Sequence, residues 1–124
     1  MAAYWNGTVY FQGAGDSLKA FLLTNGVFPT SATATTTATI GWPGASPSIS
    51  STGNSNGIVW EINGNGGSTT LVAFDPANAL APLYNSATQK VTNGAYVKFS
   101  VPTIANGKVY VGTQTELDVF GTLP

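Results

Sequence analysis

The stretch that decides the fold reads Asn106-Gly107-Lys108-Val109-Tyr110-Val111, an Asn-Gly dipeptide followed by an apolar run. The same pattern stands fifty residues earlier, as Asn56-Gly57-Ile58-Val59-Trp60, and fifty residues before that, as Asn6-Gly7-Thr8-Val9-Tyr10-Phe11. A Leu-x-x-Phe element follows each copy, at Leu18–Phe21, Leu71–Phe74 and Leu117–Phe120. Internal repeats with a period of about 20 to 50 residues are typical of stacked or radial architectures. The sequence therefore predicts an all-β protein built from repeated units.

Each Asn-Gly dipeptide predicts a hairpin turn that enters a strand, because both residues tolerate positive φ angles. Residues 50–55 and 63–68 read as longer turns of the middle repeat, and residues 13–16 and 113–115 read as second turns of the other two. A fourth strand is expected near Leu80–Ser86. The segment Pro29–Thr39 reads either as a linker or, through Thr35-Thr36-Thr37, as an outer strand. Four strands in about 40 to 50 residues match one β-propeller blade.

Composition limits the classes of function. Only nine of the 124 residues are charged and the net charge is −1, which provides no basic field for nucleic acid. No apolar stretch approaches the ~20 residues that span a bilayer, so we predict no membrane insertion. Histidine and cysteine are absent, which removes the usual general base and any thiolate. The uncharged polar composition favours an extracellular or cell-surface protein. No leader is visible at its start, so we expect either a cytoplasmic chain or a mature or excised piece of something longer.

Residues 97–113 resemble the repeat of quinoprotein-like (PQQ-repeat) β-propellers, and so do Tyr4–Phe11 together with Asp16–Phe21. Residues 57–60 and 71–75 resemble the central blade of bacterial propellers of the secreted type. The resemblance implies a ring of about six to eight four-stranded blades. This chain then holds about two and a half of them. We expect a first partial blade over 1–39, a central blade over 40–90 and a last partial blade over 91–124.

So few blades predict self-association. A ring needs at least about four blades, and raw sheet edges are rarely left bare. We therefore predict a non-catalytic structural protein that pairs with copies of itself into a homo-oligomer or filament, through open sheet edges and the apolar faces between blades. The alternative is a ligand- or partner-binding fragment of a larger secreted propeller. The residues expected at the pairing edges are Ala2, Ala3, Tyr4, Trp5, Glu116, Leu117, Asp118, Val119 and Phe120.

The resemblance also suggests a quinone-dependent dehydrogenase, since such enzymes hold the cofactor at the ring centre with calcium and an aspartate base. No residue of that site maps onto this sequence, and half a ring would not enclose a cofactor. We predict that the protein is not an enzyme and has no cofactor, no catalytic residues and no metal site.

The carboxylates differ in their predicted roles. Asp16 and Asp75 each lie in a turn, where an aspartate bonds nearby backbone amides. Glu61 follows a tryptophan in a strand and should face the opposite way, toward solvent or a lysine. Glu116 and Asp118 are two residues apart, a spacing that could share a cation, although calcium sites take more oxygen ligands than these two supply.

Three tryptophans could stack on a sugar. Trp60 occupies the repeat position of Tyr10 and Tyr110 and is expected to pack within a blade. Trp42 lies in a Gly-Trp-Pro-Gly loop and is freer than Trp5, so Trp42 is the candidate ligand contact. We do not otherwise expect a small-molecule ligand.

Overall fold

The computed structural model describes residues 1–64 and 67–121. The middle of the predicted turn 63–68 and the last three residues of the predicted 91–124 segment lie outside that part. The chain forms β-strands connected by turns, and no helix in the described part is long and apolar enough to cross a lipid bilayer. The strands of the described residues are β1 (Ala3–Trp5), β2 (Thr8–Phe11), β3 (Asp16–Leu22), β4 (Ala34–Ile40), β5 (Ser48–Thr52), β6 (Ser55–Asn63), β7 (Thr70–Asp75), β8 (Ala81–Asn85), β9 (Thr103–Ala105), β10 (Lys108–Gly112) and β11 (Leu117–Phe120).

These strands form three antiparallel sheets, each with its strands in chain order. Sheet 1 is β1-β2-β3-β4, sheet 2 is β5-β6-β7-β8 and sheet 3 is β9-β10-β11. The all-β prediction is confirmed. Residues 34–39 of the threonine-rich segment, which the sequence allowed as either linker or strand, lie in β4. The strand expected near Leu80–Ser86 is β8.

Two of the three Asn-Gly dipeptides that recur every fifty residues are hairpin turns, as predicted. Asn6 and Gly7 have φ angles of 47° and 79° and connect β1 to β2. Asn106 and Gly107, with 49° and 71°, connect β9 to β10. Positive φ at both central residues is the type I′ geometry, whose twist matches that of the flanking strands.

The middle dipeptide is different, and its prediction as a turn is wrong. Thr52 lies opposite Ser55, so the turn falls on residues 53–54, and most of the segment 50–55 is strand rather than an extended loop. Asn56 and Gly57 lie inside β6, where the register with β5 shifts and Asn56 has a φ of 53°. Tertiary packing explains the difference. A Cβ atom on Gly57 would lie 2.5 Å from the Trp5 ring, so the glycine admits a side chain from sheet 1.

Sheet 2 is covered on both sides. Neighbouring residues of a strand point to opposite sides of a sheet. The side that carries Val9 in sheet 1, Val59 in sheet 2 or Val109 in sheet 3 is here called the front face. The opposite side, which carries Tyr10, Trp60 or Tyr110, is called the back face. The back face of sheet 1 packs on the front face of sheet 2 through Tyr10, Leu18, Ala20, Val59 and Leu80. The back face of sheet 2 packs on the front face of sheet 3 through Ile62, Leu71, Val109 and Val111. Full burial of one such aliphatic side chain stabilises the fold by about 1.5–3 kcal/mol.

The first strands of the sheets are their points of closest approach. Backbone contacts between sheets are concentrated on β1 with β5 and on β5 with β9. Polar contacts fix the same two junctions. The Trp5 indole donates to the Gly53 carbonyl at 2.8 Å, and the Ser48 hydroxyl donates to the Pro102 carbonyl at 2.6 Å.

Candidate functional site

The front face of sheet 1 has no sheet of this chain against it among the described residues. Tyr4, Val9 and Phe21 form a cross-strand row on this face, because Val9 lies opposite both of the others. The Phe28 ring packs edge-on against the Phe21 ring, with 6.0 Å between the ring centroids. Phe11 is 47% exposed. The result is an apolar surface open to solvent.

The back face of sheet 3 is also uncovered within the part of the chain that the structure describes. Tyr110 lies opposite Thr103 on one side and Val119 on the other. Leu117 and Val119 are 62% and 50% exposed. Strand β11 is an edge of sheet 3, since it pairs only with β10.

The residues expected at the pairing edges are divided among three environments. Tyr4, Leu117 and Val119 belong to the two uncovered faces just described. Trp5 and Phe120 point toward sheet 2 and pack on its two faces. The Phe120 ring lies edge-on to the Tyr84 ring, with 6.2 Å between the ring centroids. The remaining residues lie at or beside the edge strands β1 and β11: Ala2 precedes β1, Ala3 begins it, Glu116 precedes β11 and Asp118 lies within it.

The proposed pairing of Glu116 and Asp118 on one strand face does not form. Glu116 lies in the turn before β11, where the Thr113 hydroxyl accepts from its backbone amide at 3.2 Å and donates to its carbonyl at 3.0 Å. Asp118 lies opposite Val111 on the front face of sheet 3, and its Oδ2 atom is buried without a hydrogen-bond partner. The described residues contain no group of three or more His, Cys, Asp or Glu that could hold a metal ion.

Asp16 is the first residue of β3 and Asp75 the last residue of β7, and each carboxylate accepts from a nearby backbone amide, as the sequence predicts. Asp16 Oδ1 accepts from the Ser17 amide at 2.8 Å, and the Lys19 ammonium lies 2.5 Å from Oδ2. The hydrogen bond from Lys19, with that from the Ser17 amide, lowers the pKa of Asp16. Asp75 Oδ1 accepts from the Ala77 amide at 2.8 Å. The Asp75 carboxylate therefore stabilises the turn that follows β7, whereas the Asp16 carboxylate bonds to Ser17 and Lys19 of its own strand, β3.

Glu61 is the functional candidate that the sequence reading missed. It points away from Trp60, as expected, but the prediction that it faces solvent or a lysine is wrong, because sheet 1 covers this face of sheet 2. Only 1% of the residue is exposed, and neither carboxyl oxygen has a hydrogen-bond partner. Burial raises the pKa of Glu61 to about 8. The repeat itself indicates that this position is buried, because the residues equivalent to Glu61 in the other two units are the apolar Phe11 and Val111.

A cleft of about 450 Å³ lies over this carboxyl, between β4 of sheet 1 and β7–β8 of sheet 2. Its walls are largely apolar and include Ile40, Phe74 and Leu80. Gln12, which is 4% exposed, also lines the cleft. The Gln12 amide nitrogen donates to the Asp16 carbonyl at 2.7 Å, and its Oε1 atom has no partner. The cleft thus combines apolar walls with unsatisfied oxygen atoms.

Trp42 lies on the loop after β4, as predicted, and is 73% exposed. Its ring packs edge-on against the Phe99 ring, with 6.4 Å between the ring centroids, and Phe99 is itself exposed. The other two tryptophans are held by packing: Trp5 lies on Gly57, and the Trp60 indole donates to the Ser50 hydroxyl at 2.8 Å.

No family model matches the chain, and neither a curated protein nor a solved structure matches it.

Proposed function

We propose that this protein is a non-catalytic structural subunit that assembles with copies of itself, the back face of sheet 3 in one copy packing on the front face of sheet 1 in the next. The observation that carries the proposal is the environment of Phe11. Its repeat equivalents, Glu61 and Val111, are 1% and 0% exposed because the preceding sheet covers them. Phe11 is 47% exposed because none of the described sheets lies against the front face of sheet 1. A second copy would supply the missing cover.

We infer that the three sheets are blades of the PQQ-repeat propeller type. Three features support this inference: each sheet keeps its strands in chain order, the sheets stack in chain order, and their first strands approach one another most closely. Blades of a propeller are arranged radially around a central channel, and a ring needs at least about four of them. The sparse charge and the resemblance to secreted propellers favour an assembly outside the cytoplasm.

Such a contact uses two different surfaces, so it is heterologous. Heterologous contacts produce rings when the rotation closes and filaments when it does not. Strand β11 adds a second means of association, because its free edge offers backbone groups to a strand of another copy.

The test uses one charged substitution on each uncovered face. Phe11→Asp blocks the front face of sheet 1, and Val119→Asp blocks the back face of sheet 3. Leu83→Asp is the matched control, since Leu83 is 52% exposed on β8 of sheet 2, away from both faces. Light scattering after size-exclusion chromatography and negative-stain microscopy at micromolar concentration measure the particle size.

We expect the native protein and Leu83→Asp to form rings or fibres, and each face variant to remain a monomer. An equimolar mixture of Phe11→Asp and Val119→Asp retains one intact front face and one intact back face, so it should form a dimer and stop there. A native protein that is a compact monomer at these concentrations would refute the proposal. So would assembly that persists in both face variants.

A second candidate function, a ligand- or partner-binding module, is favoured by the exposed aromatic pair of Trp42 and Phe99. Sugar rings stack on such surfaces, and hydrophobic partners cover them. Tryptophan fluorescence of the native protein titrated with a glycan panel, with Trp42→Ala as control, tests this alternative. A Trp42-dependent change supports it, and an unchanged spectrum counts against it.

A further inference from the structure

The cleft between sheets 1 and 2 contains more hydrogen-bond acceptors than the described residues satisfy. Both carboxyl oxygens of Glu61 and Oε1 of Gln12 are buried and lack a partner. The orientation of the Gln12 amide is fixed, because its nitrogen donates to a backbone carbonyl, which can only accept. The unpaired Gln12 atom is therefore an oxygen. When Glu61 is ionised, the two residues together offer three acceptor oxygens in one cleft.

An uncompensated buried carboxyl is costly, so the site favours an occupant that brings donors and positive charge. No lysine lines the cleft among the described residues, and the one ion pair they contain, Lys19 with Asp16, is separate from Glu61. A compensating cation would have to come from outside the chain.

The number and type of acceptors distinguish between cations. Calcium takes six to eight oxygen ligands, roughly twice what one carboxylate and one amide supply. A primary ammonium group has three N–H donors, one for each unpaired oxygen. Alkylamines are protonated at neutral pH, as lysine is.

The walls indicate the rest of the ligand. Apolar side chains from both sheets line the space above Glu61, among them Ile40, Val72, Phe74 and Leu80. Sites of this size bind small molecules through apolar walls and a few polar anchors. A short alkyl chain would occupy this space while its ammonium end reached the acceptors.

We propose that this cleft binds a small primary alkylammonium ion, with the ammonium group held by the Glu61 carboxylate and the Gln12 side-chain oxygen and the alkyl chain against the apolar walls. The site lies within one chain, so it does not depend on self-assembly.

The probe is n-butylammonium, titrated calorimetrically at pH 7.5 into the native protein and into the Phe11→Asp variant. Two comparison compounds separate the contributions. Butanol has the same chain without the charge, and tetramethylammonium has the charge without N–H donors. We expect saturable one-to-one binding of n-butylammonium, and binding of both comparison compounds weaker by about tenfold or more. Titration of the amide NMR spectrum should shift the Gln12 side-chain signals.

Two variants locate the binding. Glu61→Gln keeps the shape of the side chain and removes its charge. Ala38→Trp fills the cleft from its exposed rim without changing Glu61. Each should weaken n-butylammonium binding by about tenfold or more, whereas Glu116→Gln, at an exposed glutamate outside the cleft, should leave it unchanged. Circular dichroism establishes that each variant is folded. Equal binding of butanol, unchanged binding in a folded Glu61→Gln variant, or Glu61-dependent binding of calcium in place of the amine would overturn the proposal.

Discussion

The buried carboxyl of Glu61 should make the protein less stable as the pH rises from 5 to 8. Burial raises its pKa from 4.5 to about 8 in the folded protein. Between these values the folded state keeps the proton and the unfolded state releases it. The unfolded state then binds fewer protons, so the free energy of unfolding falls with increasing pH. This contribution is fully present below about pH 4.5 and is lost by the time the pH passes about 8.

The size of the effect follows from the two pKa values. They differ by about 3.5 pH units, and each unit corresponds to ~1.36 kcal/mol, so the whole contribution reaches roughly 5 kcal/mol. Single domains unfold with free energies of about 5–15 kcal/mol. The titration of one side chain therefore changes the stability by a large fraction of its total.

The perturbation is Glu61→Gln, which replaces the titrating carboxyl with a neutral group of nearly the same shape. Urea unfolding at pH 5, 6.5 and 8, followed by tryptophan fluorescence at one fixed protein concentration, gives the free energy of unfolding. We expect the native protein to lose about 3–4 kcal/mol across this range and the variant to lose less than about 1 kcal/mol. Glu116→Gln serves as the control and should lose as much as the native protein.

Other titrating groups with shifted pKa values lie outside this window. Tyr84 also lines the cleft, and burial raises its pKa above 10, as it does for Tyr10 and Tyr96, so these phenols stay neutral. The pKa of Asp16 is lowered, so this carboxyl stays ionised. The reasoning is refuted if the native protein and Glu61→Gln depend on pH equally, or if the native stability rises toward pH 8.

Two further predictions concern the backbone. Gly57→Ala should lower the free energy of unfolding by about 1–3 kcal/mol, because the new Cβ atom would overlap the Trp5 ring. In a Trp5→Leu background, urea unfolding should show a smaller loss from the same substitution. An equal loss in the two backgrounds would contradict this contact. Gly107→Val should cost about 1–2 kcal/mol, since φ there is 71°, a conformation that disfavours side chains. Gly41→Ala is its control, with no atom within 4 Å of the new Cβ, and thermal unfolding should separate the two variants.

The sequence predicts those parts of the fold that depend on local chemistry. The turns at Asn6 and Asn106 follow from the residues themselves, because asparagine and glycine supply the φ angles that the turn needs. The alternation of Val59, Trp60 and Glu61 gives the correct opposite directions of neighbouring side chains. The position of β8 follows from spacing within the repeat.

The errors occur where distant segments decide the outcome. Asn56-Gly57 has the same local preference as the other two copies, but Trp5 from sheet 1 takes the space next to Gly57 and the turn forms three residues earlier. Glu61 appears in the sequence as a charge in a strand, and only the position of sheet 1 shows that it is buried. The cleft above it depends on how two sheets diverge, which no single segment encodes.

The contact of Trp5 with Gly57 also means that the three units of the repeat cannot be exchanged freely. At the place of Trp5 the second and third units have Ser55 and Ala105, which are too small to reach a neighbouring backbone in the same way. A chain whose units were permuted would lose the indole that joins its first two layers, together with the hydrogen bond to Gly53. The large side chain of Trp5 and the absent side chain of Gly57 therefore specify that the first unit packs next to the second.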